Sequence, residues 1–102
     1  MRRYALAAVV LVLLTACGPS EPDRSAVERD LERAGIDVSS KPDGWWTEYR
    51  EYILNLCDGS EQVNKDTARI TRLNYPDTAE QMVRGMRIGT SYYCPDRAQY
   101  FN

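Results

Sequence analysis

The chain has 102 residues, enough for one small domain, with 13 basic and 15 acidic side chains and no histidine. The missing imidazole removes the commonest general base and the commonest metal ligand, and the slight negative charge argues against nucleic acid as a partner. A serine nucleophile would need a lysine base, and Lys41 and Lys65 both lie in polar stretches. The sequence therefore predicts a non-catalytic protein with no cofactor and no metal.

Residues 1–16 have the layout of an export signal. Arg2 and Arg3 precede an unbroken apolar run of ten residues, 5–14. Such a run spans about 15 Å as a helix, which is half of the ~30 Å hydrocarbon core of a bilayer. Because the run is too short to remain as a transmembrane anchor, we predict that it is cleaved.

The end of this signal, Leu14-Thr15-Ala16-Cys17, resembles the lipobox of bacterial lipoproteins. The resemblance implies diacylglycerol on the sulfur of Cys17 and cleavage just before it, which places the protein on the extracytoplasmic face of the cell membrane. An ordinary secretory signal ending near Ala16 is the alternative. Residues 17–23 contain two prolines and no apolar periodicity, which predicts an extended tether on the order of 20 Å long.

The first helix is predicted from residue 24 to residue 34. Asp23 is placed to cap its start, and Gly35 is placed to end it in a left-handed conformation. Residues 37–44 are polar and have turn chemistry, which predicts a loop. The apolar positions of the helix share one narrow face: Val27, Leu31 and Ala34.

The second helix is predicted from residue 45 to residue 57. Successive helical residues point about 100° apart, so Trp45 and Trp46 cannot both enter one core. We predict that Trp45 packs with Tyr49 and Ile53 and that Trp46 is partly exposed. The predicted apolar face holds Trp45, Tyr49, Tyr52, Ile53 and Leu56.

The third helix is predicted from residue 61 to residue 73, with Ser60 or Asp58 as its N-cap. Its helical periodicity is the weakest of the four, because most of its residues are polar. A thin apolar stripe is predicted to face the core: Val63, Thr67, Ile70 and Leu73.

The fourth helix is predicted to start at Asp77 as N-cap, with Glu80 at the spacing of a capping box. It is predicted to end at Cys94, because Pro95 cannot continue it. Residues 96–102 are predicted to be a C-terminal tail. The apolar positions recur at helical spacing: Ala79, Met82, Val83, Met86 and Tyr93.

Gly85 and Gly89 lie four residues apart inside this fourth helix. Each costs about 1 kcal/mol of helix stability relative to alanine. We interpret them as a flat strip against which another helix packs closely. A partner-docking groove and a break in the helix are the alternatives.

Three cysteines minus a lipid-bearing Cys17 leave Cys57 and Cys94 as an even pair in an oxidising compartment. We predict a disulfide between them, worth about 4 kcal/mol in the chain-entropy model for a loop of this length. A redox-active pair is the alternative, although no Cys-x-x-Cys arrangement is present. The bond would join the C-terminal ends of the second and fourth helices, so we predict an all-α domain over 24–95, a bundle of three to four helices.

Several short motifs, in this order, resemble a family of small secreted mycobacterial proteins, family 732 of the domains of unknown function. The resemblance covers roughly residues 26–95 and implies export, the disulfide and a helical fold, but it supplies no activity. The chain is richer in Tyr, Arg and Asp than that family. The matching motifs are Ala34-Gly35-Ile36, Cys57 followed by Gly59, and Tyr93-Cys94-Pro95.

Together these features predict a non-catalytic interaction module on the outer face of a bacterial membrane, whose partner is another envelope protein or an incoming factor. One specific form is superinfection exclusion by a phage or prophage lipoprotein, since tethering raises the local concentration near a target. The alternative is binding of cell-wall glycan or lipid through exposed aromatics, for which Trp46 and Tyr92 are the candidates. A surface tryptophan without a role is the plainest interpretation of Trp46.

Overall fold

A computed structural model describes residues 21–102; the predicted signal peptide, Cys17 and most of the predicted tether lie outside these residues. The described part is all-helical, with no β-strand, which confirms the predicted fold class. Within it, no helix combines the length and the hydropathy that crossing a bilayer requires. The elements are α1 (Arg24–Arg33), α2 (Trp45–Asp58), α3 (Glu61–Asn74), α4 (Ala79–Tyr93) and a C-terminal 3₁₀ helix (Pro95–Phe101).

The predicted capping residues Asp23, Gly35 and Ser60 mark both ends of α1 and the start of α3. The Asp23 carboxylate accepts a hydrogen bond from the Ser25 amide, and the Ser60 hydroxyl accepts one from the Val63 amide. Each bond satisfies an N–H that has no partner inside its helix. Gly35 follows α1 with φ +89°, a conformation that glycine adopts without steric cost.

The predicted N-cap of α4 is wrong by one residue. Asp77 lies in a turn, and Thr78 occupies the N-cap position without making a side-chain cap hydrogen bond. The Thr78 amide donates to the Tyr75 carbonyl oxygen at 3.1 Å, which closes a turn through Pro76. The helix therefore begins only after this turn, and Glu80 lies at the wrong position to complete a capping box.

The central element is α4, which contacts every other helix of the described fold. Its buried face supplies Val83 and Met86 to the hydrophobic core. Side chains from α2, α3 and the 3₁₀ helix complete that core, and none is more than 5% exposed. The remaining members are Ile53, Leu56, Ala68 and Phe101.

The face that α3 turns toward the core differs from the predicted one. The apolar stripe is largely in solvent, since Val63, Ile70 and Leu73 are 52%, 46% and 67% exposed. Thr67 is half-buried. The buried residues of α3 are instead small or polar: Asn64, Ala68 and Thr71.

Hydrogen bonding explains this rotation of α3. Asn64 Nδ2 donates to the carbonyl oxygens of Leu56 at 3.0 Å and Ser60 at 2.8 Å, which ties the start of α3 to the end of α2. The Thr71 hydroxyl donates to the Thr67 carbonyl oxygen at 2.7 Å. A buried polar group is tolerated when it is hydrogen-bonded, so the Asn64 Nδ2 group and the Thr71 hydroxyl can face the core, although Asn64 Oδ1 has no partner among the described residues.

Residues 95–101, predicted to lie in or next to a tail, form the 3₁₀ helix and pack against the core. Phe101 is only 1% exposed. Tyr100 donates a hydrogen bond to Glu61 at 3.0 Å, and Arg72 donates one to the Asn102 carbonyl oxygen at 2.8 Å. The domain therefore extends to Phe101, beyond the boundary at residue 95 that the sequence predicted.

The predicted disulfide is present, and Cys57 and Cys94 have Cα atoms 5.8 Å apart. It joins the last turn of α2 to the residue that follows α4. Along the same two helices, Tyr49 contacts Gly85 and Ile53 faces Gly89. Because residue numbers rise together on both helices, α2 and α4 run side by side in the same direction.

Candidate functional site

An open groove of about 490 Å³ lies between the end of α1, the loop after it, and the N-terminal halves of α2 and α4. This volume falls within the usual range of binding sites in proteins. The polar residues at the groove are Lys41, Glu48 and Gln81. Most of its lining is apolar: Leu31, Ile36, Trp45, Tyr49, Tyr52, Ile53, Met82 and Met86.

Two glycines bring α4 close to α2 beneath the groove. A Cβ atom placed on Gly89 would lie 2.5 Å from Ile53 Cδ1 and 2.6 Å from the Tyr49 hydroxyl oxygen, closer than real Cβ contacts. Gly85 is buried, and its carbonyl oxygen accepts a hydrogen bond from the Tyr49 hydroxyl at 2.8 Å. The close packing of another helix predicted for these glycines is therefore confirmed at Gly89, whereas a Cβ atom on Gly85 would meet only Ile36 of the loop after α1.

Gly89→Ala is expected to lower the free energy of unfolding by about 2 kcal/mol, because overpacking a well-packed contact costs more than alanine gains in helix propensity. Gly85→Ala is the matched control, since its new Cβ would meet only Ile36 Cδ1, at 3.5 Å. That variant is expected to be stabilised by about 0.5–1 kcal/mol. Urea unfolding of both variants checks the pair, and equal stabilisation by the two alanines would contradict the close contact at Gly89.

Tyr49 supports the groove floor as a fixed hydrogen-bond donor. Burial raises the pKa of its hydroxyl well above the ordinary value of 10.0, and the nearby Tyr93 acts in the same direction. The hydroxyl therefore stays protonated at physiological pH and continues to donate to the Gly85 carbonyl. This arrangement positions a helix and offers no acid or base chemistry.

Tyr52 and Met82 give the groove an exposed apolar rim. Their side chains are 42% and 39% exposed. The Tyr52 hydroxyl lies 3.9 Å from the sulfur of Met86, so the ring stands over the groove. Methionine side chains adapt to irregular surfaces, and aromatic residues and methionine are enriched at protein interfaces.

Trp46 lies beside the groove lining in an aromatic cluster. Its ring centroid is 5.7 Å from that of Trp45 and 5.9 Å from that of Tyr49. The Arg24 guanidinium lies 5.3 Å from the Trp46 centroid and 5.8 Å from the Trp45 centroid, in cation–π range. Trp45 packs on Tyr49 as predicted, and Trp46 is half-buried.

Tyr92 is half-buried and already has a partner within the fold. Its hydroxyl donates to the Asp30 carboxylate at 2.5 Å, and this hydrogen bond raises the pKa of Tyr92. Trp46 instead contacts Arg24, six positions before Asp30 on the same helix. Binding of a cell-wall glycan or lipid through Trp46 and Tyr92 stays a prediction, and the structure shows both side chains half-buried.

Part of the groove lining lies on a helix face that the sequence predicts to be apolar. The apolar face predicted on α2 supplies Trp45, Tyr49, Tyr52 and Ile53 to the lining. Ile36 was missed because it lies in a loop, where no periodicity marks it. Among residues 21–102, no three metal-binding side chains cluster in a way that could hold an ion.

Comparison of the chain with protein-family models, with curated proteins and with solved structures found no match. The resemblance to family 732 of the domains of unknown function stays a prediction.

Proposed function

We propose that this chain is a lipid-anchored extracytoplasmic protein that binds an apolar segment of a second protein in the groove between α1, α2 and α4. The supporting observation is the groove itself, whose lining is mostly apolar and whose rim exposes Tyr52 and Met82. Covering apolar surface of this kind is favourable. Lys41 and Glu48 add one charge of each sign, which can orient a bound segment.

The position of the N-terminal segment supports a groove that is accessible to a partner. Glu21 follows the predicted lipid-bearing Cys17 by four residues and forms an ion pair with Arg50 of α2. At 100° per residue, the Arg50 side chain leaves α2 about 130° away from the mean direction of the α2 side chains that line the groove. Glu21 therefore pairs with a side of α2 that faces away from the side chains lining the groove.

A protein segment fits this groove better than a small molecule does. Sites for small ligands usually bury most of the ligand surface, whereas this groove is open to solvent on one side. A second protein supplies the surface that closes it. The methionines and aromatics of the rim are the residue types that such a contact favours.

The test is photo-crosslinking of the full lipidated chain in its own membrane. Benzoylphenylalanine replaces Tyr52 at the rim or, as the matched control, Tyr75, an exposed tyrosine outside the groove. The Tyr52 position is expected to give one discrete adduct with another protein. Met82→Glu is expected to abolish that adduct, whereas Leu73→Glu on the exposed face of α3 is expected to preserve it.

Three results would overturn the proposal. The first is an adduct with the same partner protein, and not with a second copy of this chain, that forms equally at the Tyr75 position. The second is an adduct that survives Met82→Glu, and the third is an adduct of lipid or another small molecule only. The proposal therefore requires a protein adduct that forms preferentially at the Tyr52 position and is lost in Met82→Glu.

A narrower form of the proposal makes the partner a component of an incoming phage, so that the anchored protein acts in superinfection exclusion. Deletion of the gene is then expected to raise phage DNA entry into the host. Unchanged adsorption and DNA entry would exclude this narrower form and leave the groove proposal to the crosslinking test.

A further inference from the structure

The exposed face of α3 carries a row of large apolar side chains. Val63, Ile70 and Leu73 are between 46% and 67% exposed, and Tyr75, just after the helix, is 54% exposed. Single exposed hydrophobic residues are ordinary in soluble proteins. Several along one helix face can mark an interaction surface, and these residues do not line the groove.

The spacing of this row is that of a two-helix seam. Val63, Asp66, Ile70 and Leu73 are separated by three, four and three residues, as at the a and d positions of a heptad. A row of side chains this narrow can pack against one further helix. The carboxylate of Asp66 is the polar group in the seam, and its side chain is 41% exposed.

The charges of Asp66 and Arg69 favour a second copy of α3, packed in the antiparallel direction, as the partner of this face. With Val63 placed opposite the partner's Leu73, each Asp66 lies next to the partner's Arg69. Asp66 also accepts a hydrogen bond from Gln62 at 3.0 Å and pairs with Arg69 of its own chain at 3.3 Å. A parallel pair would instead set Asp66 against the partner's Asp66, and like charges repel.

We infer that two copies of this chain associate through the exposed face of α3, as an antiparallel helix pair. The contact offers only a short row of side chains, far less than the roughly 800 Å² per partner of a stable interface. Association is therefore weak in dilute solution and depends on confinement of both copies at one membrane surface. The inference uses the predicted lipid anchor and does not use the groove.

Cysteine crosslinking in membranes of the full chain tests both the pairing and its direction. Val63→Cys and Leu73→Cys are made separately, carry different tags and are expressed together. Oxidation is expected to give the mixed adduct of one variant with the other. Two copies of Val63→Cys are expected to give little adduct, because ten residues of helix separate the two cysteines by about 15 Å.

Peptide mapping confirms that Cys57 and Cys94 remain joined in each cysteine variant. Homotypic adducts as abundant as the mixed one would overturn the antiparallel arrangement. No adduct in any combination would show that α3 does not self-associate and that its apolar face meets a different partner or none.

A charge exchange gives a second readout at positions that are exposed and outside the core. Asp66→Arg or Arg69→Asp alone is expected to lower the yield of the mixed adduct about five-fold. The double exchange is expected to restore it, because each opposite-charge contact across the pair is re-formed. Failure of the double variant to recover, with helix content unchanged by circular dichroism, would count against the charge pairing.

The two proposals fail separately. Met82→Glu is expected to leave the α3 adduct unchanged, and Leu73→Glu is expected to leave the groove adduct unchanged while preventing association through α3. Loss of both adducts together would point to loss of the membrane anchor, which cell fractionation detects directly.

Discussion

Replacing both Cys57 and Cys94 by serine is expected to lower the free energy of unfolding by about 4 kcal/mol. The two residues are separated by 37 positions, so their bond restricts a large part of the unfolded chain. A domain of this size rarely gains more than about 3–5 kcal/mol from its core. We therefore expect the variant to be largely unfolded at growth temperature.

Urea unfolding followed by circular dichroism measures this effect in the mature chain with Cys17→Ser, which removes the predicted lipid site. Dithiothreitol provides the internal control. It is expected to destabilise the protein with both cysteines as much as the double substitution does and to leave the double variant unchanged. A midpoint that does not move on reduction would contradict a structural role for the disulfide.

Phe101→Ala is expected to destabilise the domain by about 3–5 kcal/mol, the usual cost of emptying a buried aromatic site. The side chain is 1% exposed and belongs to the same core cluster as Ile53 and Val83. Gln99→Ala on the same 3₁₀ helix is the matched control, because Gln99 is exposed. Its effect is expected to stay within about 0.5 kcal/mol.

Thermal and urea unfolding of the two variants give the comparison. If Phe101→Ala behaves like Gln99→Ala, the C-terminal segment does not pack on the core in solution. Removal of residues 96–102 is then expected to be harmless as well, whereas a packed Phe101 makes that truncation at least as costly as the single substitution.

The features predictable from the sequence are those that depend on local chemistry. Asp23 and Ser60 cap their helices because a short acceptor side chain reaches the next turn wherever the helix lies. Gly35 ends α1 because its backbone tolerates positive φ. The pairing of Cys57 with Cys94 followed from counting cysteines in an oxidising compartment.

The orientation of α3 was not predictable in the same way. Periodicity assigns the most apolar face of a helix to the core. The structure instead buries Asn64, whose Nδ2 donates to the carbonyl oxygen of Leu56 in α2 and to that of Ser60, the N-cap of α3. Which face of α3 is buried therefore depends on the neighbouring helix α2, and no pattern within α3 itself indicates it.

The 3₁₀ helix and the groove were missed for a related reason. Seven residues are too few to show a repeating pattern, and Phe101 alone gives no sign of its burial. The groove combines α2 with Ile36 from a loop and Met82 from α4. Only the assembled fold brings these three elements to one place.

The series of contacts between α2 and α4 fixes the base of the groove, whereas the side chains at its rim are free to differ. Tyr49 on Gly85, Ile53 on Gly89 and the covalent link at residue 57 fix the distance between the two helices. The base is therefore rigid, and adaptation to different ligands falls to the side chains at 52 and 82. Divergence in specificity should accumulate at those two positions, while glycine persists at 89.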